Sequence, residues 1–241
     1  MGRMLLKKES TLLNRNDFFY YLQSLAGQFP SFYFKLFARR YPFNRMKIEP
    51  DSGICIEGFP RSANSYAVVA FRLANPDVKI AHHLHVPAQL LQAVKWNIPA
   101  VFLIRAPLEA VSSFMVFQSS QNADLYLKAY IRFYKVLKKV HTSLVVVPFE
   151  TIVQQFDVLI QKVNRKFGAE FNCLGNQAEK EAEIFARLNQ VNDQFFKGQW
   201  QKSMYPDEMR KKYKENAKML VLRSPFHSIA QKYFEFFQNV E

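Results

Sequence analysis

The hydrophobic pattern of this chain predicts short buried strands separated by helices. The continuous apolar runs at 100–104 and 144–147 lack the alternation of a half-exposed strand, so we expect both strands to be buried on two faces. The shorter run at 54–56 predicts a third strand, and residues 78–81 predict a weaker fourth one.

Helical periodicity fills the intervals between these strands. Residues 67–73 predict one helix, Pro87 and Pro107 each suit the first turn of another, and Asn122 can cap a long helix with one apolar face. Residues 151–241 are predicted to be mainly helical. Because strands that alternate with helices favour a parallel sheet, the predicted fold class is α/β. We expect a three-layer sandwich, with the sheet between two helical layers and with added amino-terminal and carboxyl-terminal helices.

The first fifty residues differ from the rest of the chain. They hold 11 of its 37 aromatic residues, with nine Lys or Arg against three Asp or Glu. Asn16 can cap a helix that Gly27 would end, and Ser31 can cap a second helix that stops near Pro42. We expect residues 1–50 to pack as a helical segment on a single α/β domain over 51–241. The alternation of aromatic and basic residues would also suit peripheral contact with a membrane surface.

Composition narrows the class of protein. With 241 residues, 49% of them apolar, the chain can bury its own core, which excludes disordered and collagen-like classes. Cys55 and Cys173 cannot build a disulfide framework or a structural zinc cluster, so we expect a reducing, cytoplasmic compartment. Residues 1–13 lack the apolar centre of a signal peptide, and no apolar run approaches the length of a membrane span.

The charge balance favours an anionic partner. Lys and Arg total 33 against 20 Asp and Glu, a net charge of +13. Such a charge suits nucleic acid, acidic lipid or a phosphorylated small molecule. Because the basic residues are spread along the chain and no nucleic-acid-binding motif is present, we predict no nucleic-acid partner.

The stretch from 57 to 66, Glu-Gly-Phe-Pro-Arg-Ser-Ala-Asn-Ser-Tyr, joins the first strand to a helix. That geometry aims backbone N–H groups and the positive end of a helix at an anion. A nucleotide P-loop would have Gly and Lys where this chain has Ala63 and Asn64, and no strand ends in an aspartate for magnesium. A nucleotide triphosphatase is therefore disfavoured, and an ordinary capped turn remains an alternative. Side-chain donors in the stretch are Arg61, Ser62, Asn64 and Ser65.

A second cation follows the most apolar strand. Arg105 comes directly after 100–104, at the carboxyl end of the strand, where ligands bind in open α/β sheets. Pro107 starts the next helix, and Ser113 lies two turns further on, where it can approach the same anion. The alternative is a surface salt bridge between Arg105 and Glu109.

Together these elements resemble the sulfotransferase family that uses 3′-phosphoadenosine-5′-phosphosulfate (PAPS). The 5′-phosphosulfate loop of that family, Pro-Lys/Arg-Ser-Gly-Thr-Thr, is similar to Pro-Arg-Ser-Ala-Asn-Ser at 60–65. The 3′-phosphate element of the family is an Arg-x-Pro with a Ser eight residues after the Arg, and Arg105, Pro107 and Ser113 fit it.

Strand 145–150, Val-Val-Val-Pro-Phe-Glu, resembles a further strand of the family, and the likeness covers about residues 52–160. The departures are Ala63 for Gly and Asn64 for the first Thr. Asn64 keeps a donor, whereas Ala63 would be strained if its φ were positive.

The resemblance implies a P-loop-like fold and a reaction without metal. A sulfuryl group would pass in line from PAPS to a hydroxyl or amine of a small-molecule, glycan or lipid acceptor, which leaves 3′-phosphoadenosine-5′-phosphate (PAP). Arg61 would be catalytic, since it would neutralise the leaving 5′-phosphate, and Arg105 and Ser113 would hold the 3′-phosphate. The remaining donor-binding residues implied are Ser62, Ala63, Asn64, Ser65 and Tyr66.

The resemblance also implies a base after the second strand. His85-Val86-Pro87 matches the His-x-Pro of the family, so His85 is the first candidate, with His83 and then His82 as alternatives. Lys197-Gly198 is weakly similar to a late Lys-Gly loop that closes on the nucleotide. Two other hypotheses stay open: a non-catalytic anion- or lipid-binding protein on the same fold, and a kinase with a degenerate P-loop.

Overall fold

The structure of the protein is a computed structural model that describes residues 15–37, 43–196 and 208–240. Four parallel strands form a sheet in the order β2-β1-β3-β4. The predicted strands are confirmed, with β1 extended to Gly58 and β2 beginning two residues later than expected. The strands are β1 (Ile54–Gly58), β2 (Ile80–His82), β3 (Ala100–Ile104) and β4 (Val145–Pro148).

Helices occupy most of the remaining described chain. The predicted helix starts at Pro87 and Pro107 are confirmed, and the side chain of Asn122 caps its helix by accepting the N–H of Leu125 at 3.1 Å. The prediction that residues after 151 are mainly helical is confirmed wherever the structure describes them. The helices are α1 (Arg15–Ala26), α2 (Pro30–Leu36), α3 (Phe43–Met46), α4 (Asn64–Ala74), α5 (Pro87–Lys95), α6 (Pro107–Gln118), α7 (Ala123–Leu137), α8 (Phe149–Gln154), α9 (Phe156–Phe167), α10 (Gln177–Phe196), α11 (Glu208–Arg223) and α12 (His227–Gln238).

The two amino-terminal helices are confirmed, but their predicted caps are wrong. Asn16 lies inside α1, which ends before Gly27 as expected. Ser31 is the second residue of α2, because Pro30 takes the first helical position, where a missing N–H costs nothing. Phe29 stands at the cap of α2 and makes no side-chain capping bond. The predicted stop near Pro42 lies outside the described residues.

The sheet lies between two helical layers. Ile56, Val101 and Leu103 face a core that includes side chains of α4, α9 and α10. Phe102 faces the opposite core, where its ring lies 5.0 Å from that of Phe237 in α12. The predicted α/β fold, a parallel sheet with helices on both faces, is confirmed. Each helix layer stabilises the fold by burying apolar strand residues on its side of the sheet.

The α1–α2 hairpin, residues 15–37, packs on this second layer through a buried acid. The carboxylate of Asp17 accepts hydrogen bonds from Ser120 at 3.0 Å and from the hydroxyl of Tyr126 at 2.6 Å. The ring of Tyr20 stacks on that of Tyr126 with centroids 5.4 Å apart. One side of α1 is therefore fixed to the body of the protein. The division of the chain at residue 50 stays a prediction.

The α1–α2 hairpin also contacts the segment that follows β2. A Cβ at Gly27 would lie 2.5 Å from Cγ1 of Val86, so only glycine fits this approach. The carbonyl of Gly27 accepts the N–H of Ala88 at 2.8 Å. The side-chain amide of Gln23 donates to the carbonyl of Leu84 at 3.2 Å. Residues 84–88 are thus held in place by α1 and the turn that follows it.

Candidate functional site

The strand order has a switch point between β1 and β3, and the region at the carboxyl ends of these two strands is called the crevice below. After β1 the chain crosses to β2 on one side, and it returns to β3 on the other side of β1. Loops that leave two neighbouring strands in opposite directions open a cleft between them, where ligands bind in α/β folds. The loop after β1 carries Arg61, and Arg105 follows β3 directly.

Arg61, Arg105 and Ser113 lie in direct contact in this crevice. Nη1 of Arg105 donates to the carbonyl of Arg61 at 2.7 Å, and Nε of Arg61 donates to Oγ of Ser113 at 3.1 Å. The guanidinium carbon of Arg105 lies 3.7 Å from the ring centre of Phe149, the first residue after β4. Two elements that are far apart in the sequence therefore form one basic cluster.

A fourth member of the basic cluster, Arg210, was not found from the sequence. It lies on α11, which packs on α6, and its Nη2 donates to Oγ of Ser113 at 3.1 Å. Arg210 is only 5% exposed. Because both lone pairs of the Ser113 hydroxyl accept from arginines, its proton is left to donate to a further acceptor. Nothing in the sequence marks Arg210, which stands among other basic residues 97 positions after Ser113.

The basic cluster is electrostatically crowded. Burial, together with the nearby charges of Arg210 and Arg105, lowers the pKa of Arg61 to about 9, although the side chain stays protonated at neutral pH. The expected alternative, an ion pair of Arg105 with Glu109, is not formed, since that carboxylate pairs with Lys214 at 2.5 Å and Lys218 at 3.0 Å. Three guanidinium groups held this close favour an anion between them.

The loop between β1 and α4 has a strained backbone. Arg61 has a φ of 71° and Ala63 a φ of 66°, both in the left-handed region. Ala63 is also the cap of α4 and makes no side-chain capping bond, so first-turn N–H groups of α4 are open to an anion. The hydroxyl of Ser62 is buried, and it has no hydrogen-bond partner among the described residues. Strain and unsatisfied donors of this kind are typical of functional loops.

Two of the predicted donor-binding side chains make other contacts. The amide of Asn64 donates to the carbonyl of Phe59 at 3.1 Å, so its donor serves the loop itself. The hydroxyl of Tyr66 accepts from Gln177 on α10 at 2.8 Å. The backbone N–H groups of both residues remain in the first turn of α4.

Ser65 stands at the end of a chain of hydrogen bonds. Nη2 of Arg72 lies 3.0 Å from Nε2 of His82, Nδ1 of His82 lies 2.6 Å from Nδ1 of His83, and Nε2 of His83 lies 2.9 Å from Oγ of Ser65. Arg72 can only donate, and burial lowers the pKa of both histidines, so both are neutral. The donors therefore run from Arg72 toward Ser65, whose own hydroxyl proton is left for another acceptor.

His85 differs from its two neighbours in having a ring nitrogen to spare. Its Nδ1 donates to the carbonyl of Gly58 at 3.1 Å, and Nε2 makes no hydrogen bond to any described residue. Burial, assisted by the charge of Arg61 and opposed by the hydrogen bond to Gly58, lowers the pKa of His85 to about 4, so the ring is neutral at pH 7. Both ring nitrogens of His82 and of His83 are engaged. Of the three histidines, His85 is the one equipped to accept a proton.

A buried acid, Glu57, supports the segment that carries His85. Its carboxylate accepts the N–H groups of Leu84 at 2.7 Å and of His85 at 2.9 Å, and the amide of Gln89 at 3.2 Å. Burial raises the pKa of Glu57 to about 8, although these hydrogen bonds act in the opposite direction. The sequence could have indicated that Glu57 has buried hydrogen-bond partners, because an acid inside a fully buried strand requires them.

Within the ranges that the structure covers, no three His, Cys, Asp or Glu side chains are grouped to hold a metal ion. Lys197-Gly198, the weak match to a late loop, lies outside the described residues.

A comparison with models of protein families, with curated proteins and with solved structures found no match to this chain. The geometry of the crevice and the sequence resemblance are therefore the grounds for assigning a function.

Proposed function

We propose that this protein is a sulfotransferase that moves a sulfuryl group from PAPS to a hydroxyl or amine acceptor. The observation that carries the proposal is the contact of Arg61, Arg105 and Ser113 in one basic cluster at the crevice. These residues come from the two motifs that resemble the donor-binding elements of the family. In this proposal the sheet is a P-loop-like fold, and the protein acts in the cytoplasm.

The charge of the crevice suits a donor with two separate phosphate groups. Arg105 and the Ser113 hydroxyl would take the 3′-phosphate, with Arg210 as an additional cation at the same serine. The loop from Arg61 to Ser65 and the first turn of α4 would take the 5′-phosphosulfate. Ser65 would donate its proton there, because His83 already supplies the hydrogen bond that its oxygen accepts.

The transfer would be a single in-line displacement. A bond forms between the acceptor oxygen and sulfur while the bond between sulfur and the bridging phosphate oxygen breaks. Nε2 of His85 accepts the proton that the acceptor hydroxyl loses, and Arg61 neutralises the charge that develops on the leaving phosphate. The products are a sulfated acceptor and PAP, with no change of oxidation state.

The kinase hypothesis has less support. In the loop, Ala63 and Asn64 stand where a nucleotide P-loop has Gly and Lys, and the side-chain donor of Asn64 serves the carbonyl of Phe59. A non-catalytic anion-binding protein would need the same basic cluster but not a neutral histidine with a spare nitrogen beside it. His85 therefore favours the enzyme.

Calorimetry with PAP and with ADP, in the absence of magnesium, tests the donor. We expect PAP to bind at least tenfold more tightly, because ADP lacks the 3′-phosphate. Arg105→Ala should remove charge-assisted contacts of about 2–4 kcal/mol, whereas Arg165→Ala, at an exposed position of α9, should leave PAP affinity unchanged. Equal affinity for PAP and ADP in the folded protein would refute the assignment.

A turnover assay tests whether the protein catalyses sulfuryl transfer. We expect PAPS with a radiolabelled sulfuryl group to release labelled product with para-nitrophenol as a model acceptor. His85→Asn should lower the rate by about 10²–10⁴-fold while PAP still binds. Full activity in His85→Asn with loss in His83→Gln would move the base to His83, and PAP binding without any transfer would leave the non-catalytic function.

A further inference from the structure

The outer face of the α1–α2 hairpin carries a continuous set of exposed apolar side chains. The opposite face of α1 is buried against α7 through Asp17 and Tyr20, so the hairpin presents this outer face in a fixed orientation. Soluble proteins seldom expose so many large apolar side chains together without a partner. The exposed side chains are Phe18, Phe19, Tyr21, Leu22, Phe29, Phe32 and Leu36.

Part of this face is concave. Leu25, Phe29, Pro30 and Phe32 line an open apolar groove at the turn between the two helices. The ring of Phe29 is 62% exposed and that of Phe32 is 52% exposed. The groove and its aromatic rim can therefore receive flexible hydrocarbon without any change in the hairpin.

The charges around this face are mainly positive. Between 15 and 37 the sequence has three charged residues, and Asp17, the one acid, is buried, which leaves Arg15 and Lys35 exposed. On the adjacent α7, Arg132 donates to Oγ of Ser24 at 2.7 Å, and Lys128 lies beside Tyr21. Asp124 shares that border, where it accepts from Ser224 at 2.6 Å. After the hairpin, the sequence from 38 to 47 holds four more Lys or Arg and no acid.

We propose that the outer face of the α1–α2 hairpin docks on an anionic lipid bilayer. Aromatic side chains with an adjacent basic border suit the interface between acyl chains and headgroups, where both the burial of rings and the attraction of anionic lipid contribute. A second copy of the chain fits less well, because a twofold contact would bring the same positive border against itself. This inference does not depend on the reaction at the crevice.

Vesicle sedimentation with the full chain tests the docking. We expect the protein to pellet with phosphatidylcholine vesicles that contain phosphatidylserine at low salt, and to bind much less to pure phosphatidylcholine or at high salt. Phe29→Ser with Phe32→Ser should lower the partition coefficient at least tenfold. The matched control is Leu222→Ser with Ile229→Ser, which changes two apolar side chains that are 51% and 44% exposed on α11 and α12. It should stay within twofold of the parent.

A charge variant separates electrostatic attraction to the anionic vesicles from nonspecific hydrophobic adsorption. Lys35→Glu should lower the partition coefficient on the anionic vesicles by about fivefold or more, because each basic residue near such a surface contributes about 1 kcal/mol, or about fivefold. Equal binding to both vesicle types, no binding to either, or an unaffected Phe29 and Phe32 variant would overturn the proposal. A dimer in light scattering that this variant abolishes would overturn it in favour of a second copy.

Discussion

The hydroxyl of Ser65 and Nε2 of His83 lie 2.9 Å apart, and Arg72, which is hydrogen-bonded to His82 instead, sets the direction of their hydrogen bond. Arginine donates to His82, His82 donates to His83, and His83 donates to Ser65. The serine oxygen thereby accepts a hydrogen bond, and its proton is left to donate to another acceptor near the amino terminus of α4. In the function proposed above, this hydroxyl would donate to the anion.

The first prediction concerns this arrangement. His83→Phe should weaken PAP binding by about fivefold, since a hydrogen bond of this kind contributes about 1 kcal/mol. His83→Gln should restore most of the affinity, because the glutamine amide can donate from a similar position. Calorimetry measures both, and a double-mutant cycle with Ser65→Ala provides the check. If the losses from His83→Phe and Ser65→Ala simply add, the two residues do not act together.

The second prediction concerns the strained loop. A left-handed conformation costs a residue with a Cβ about 1–2 kcal/mol, so Ala63→Gly should raise the free energy of unfolding by about 1 kcal/mol. The same change at Ala182, an exposed position inside α10, should lower it by about 1 kcal/mol. Urea denaturation compares the two variants. A destabilised Ala63→Gly would mean that the positive φ of 66° carries no strain.

The third prediction concerns Arg210. Arg210→Gln removes a charged donor from Ser113, and PAP affinity should fall about tenfold or more. Lys212→Gln removes the same charge from an exposed position of the same helix and should change affinity less than twofold. Both variants are measured by calorimetry after their circular dichroism has been matched to the parent. If Arg210→Gln and Lys212→Gln lose the same PAP affinity, Arg210 contributes only through the net charge of the protein.

The fourth prediction concerns pH. Burial lowers the pKa of His82 to about 3 and of His85 to about 4, and it lowers that of His83 as well, from an ordinary value of 6.5. The unfolded chain therefore binds more protons between about pH 4 and 6.5, and stability should rise with pH in that window. Glu57 acts in the opposite sense, because its pKa is raised from 4.5 to about 8 and its stabilising contribution is lost as the pH rises through this range.

Three histidines outweigh one acid below pH 6.5, and Glu57 dominates from there to about pH 8, so we expect maximal stability near pH 6.5. Urea denaturation at half-unit steps of pH measures the curve. Glu57→Gln should flatten the fall above the maximum. A stability that keeps rising from pH 6.5 to 8 in the parent would contradict the raised pKa of Glu57.

The sequence predicts well those elements whose own composition decides their structure. Ala-Val-Phe-Leu-Ile at 100–104 is confirmed to the residue, because five consecutive apolar side chains require burial on both faces. The predicted start of β2 was two residues too early, since the strand begins only where its backbone pairs with that of β1, at Ile80 opposite Ile54. The predictions that Asn16 and Ser31 cap helices were wrong, because residues that cap helices well also occur within them.

The residues of the candidate site also divide into those that local sequence predicts and those that only tertiary packing brings together. The contact of Arg61 and Arg105 could be anticipated, because both follow parallel strands and such strand ends meet at one edge. Arg210 could not, since its helix packs against α6 through tertiary contacts that leave no mark on the basic run at 210–212. The family resemblance alone placed His85 before His83 as a candidate, whereas the structure adds a physical difference between them, because both ring nitrogens of His83 are hydrogen-bonded.

The close approach of Gly27 to Val86 has a consequence for the evolution of this protein. A side chain at 27 would occupy the space of the valine methyl groups, so a larger residue there requires a smaller one at 86. The two positions are therefore expected to covary among descendants of this sequence. Because Val86 adjoins His85, a substitution in the turn after α1 would also shift the segment that carries His85. Substitutions in the α1–α2 hairpin and in the histidine segment are therefore expected to depend on one another.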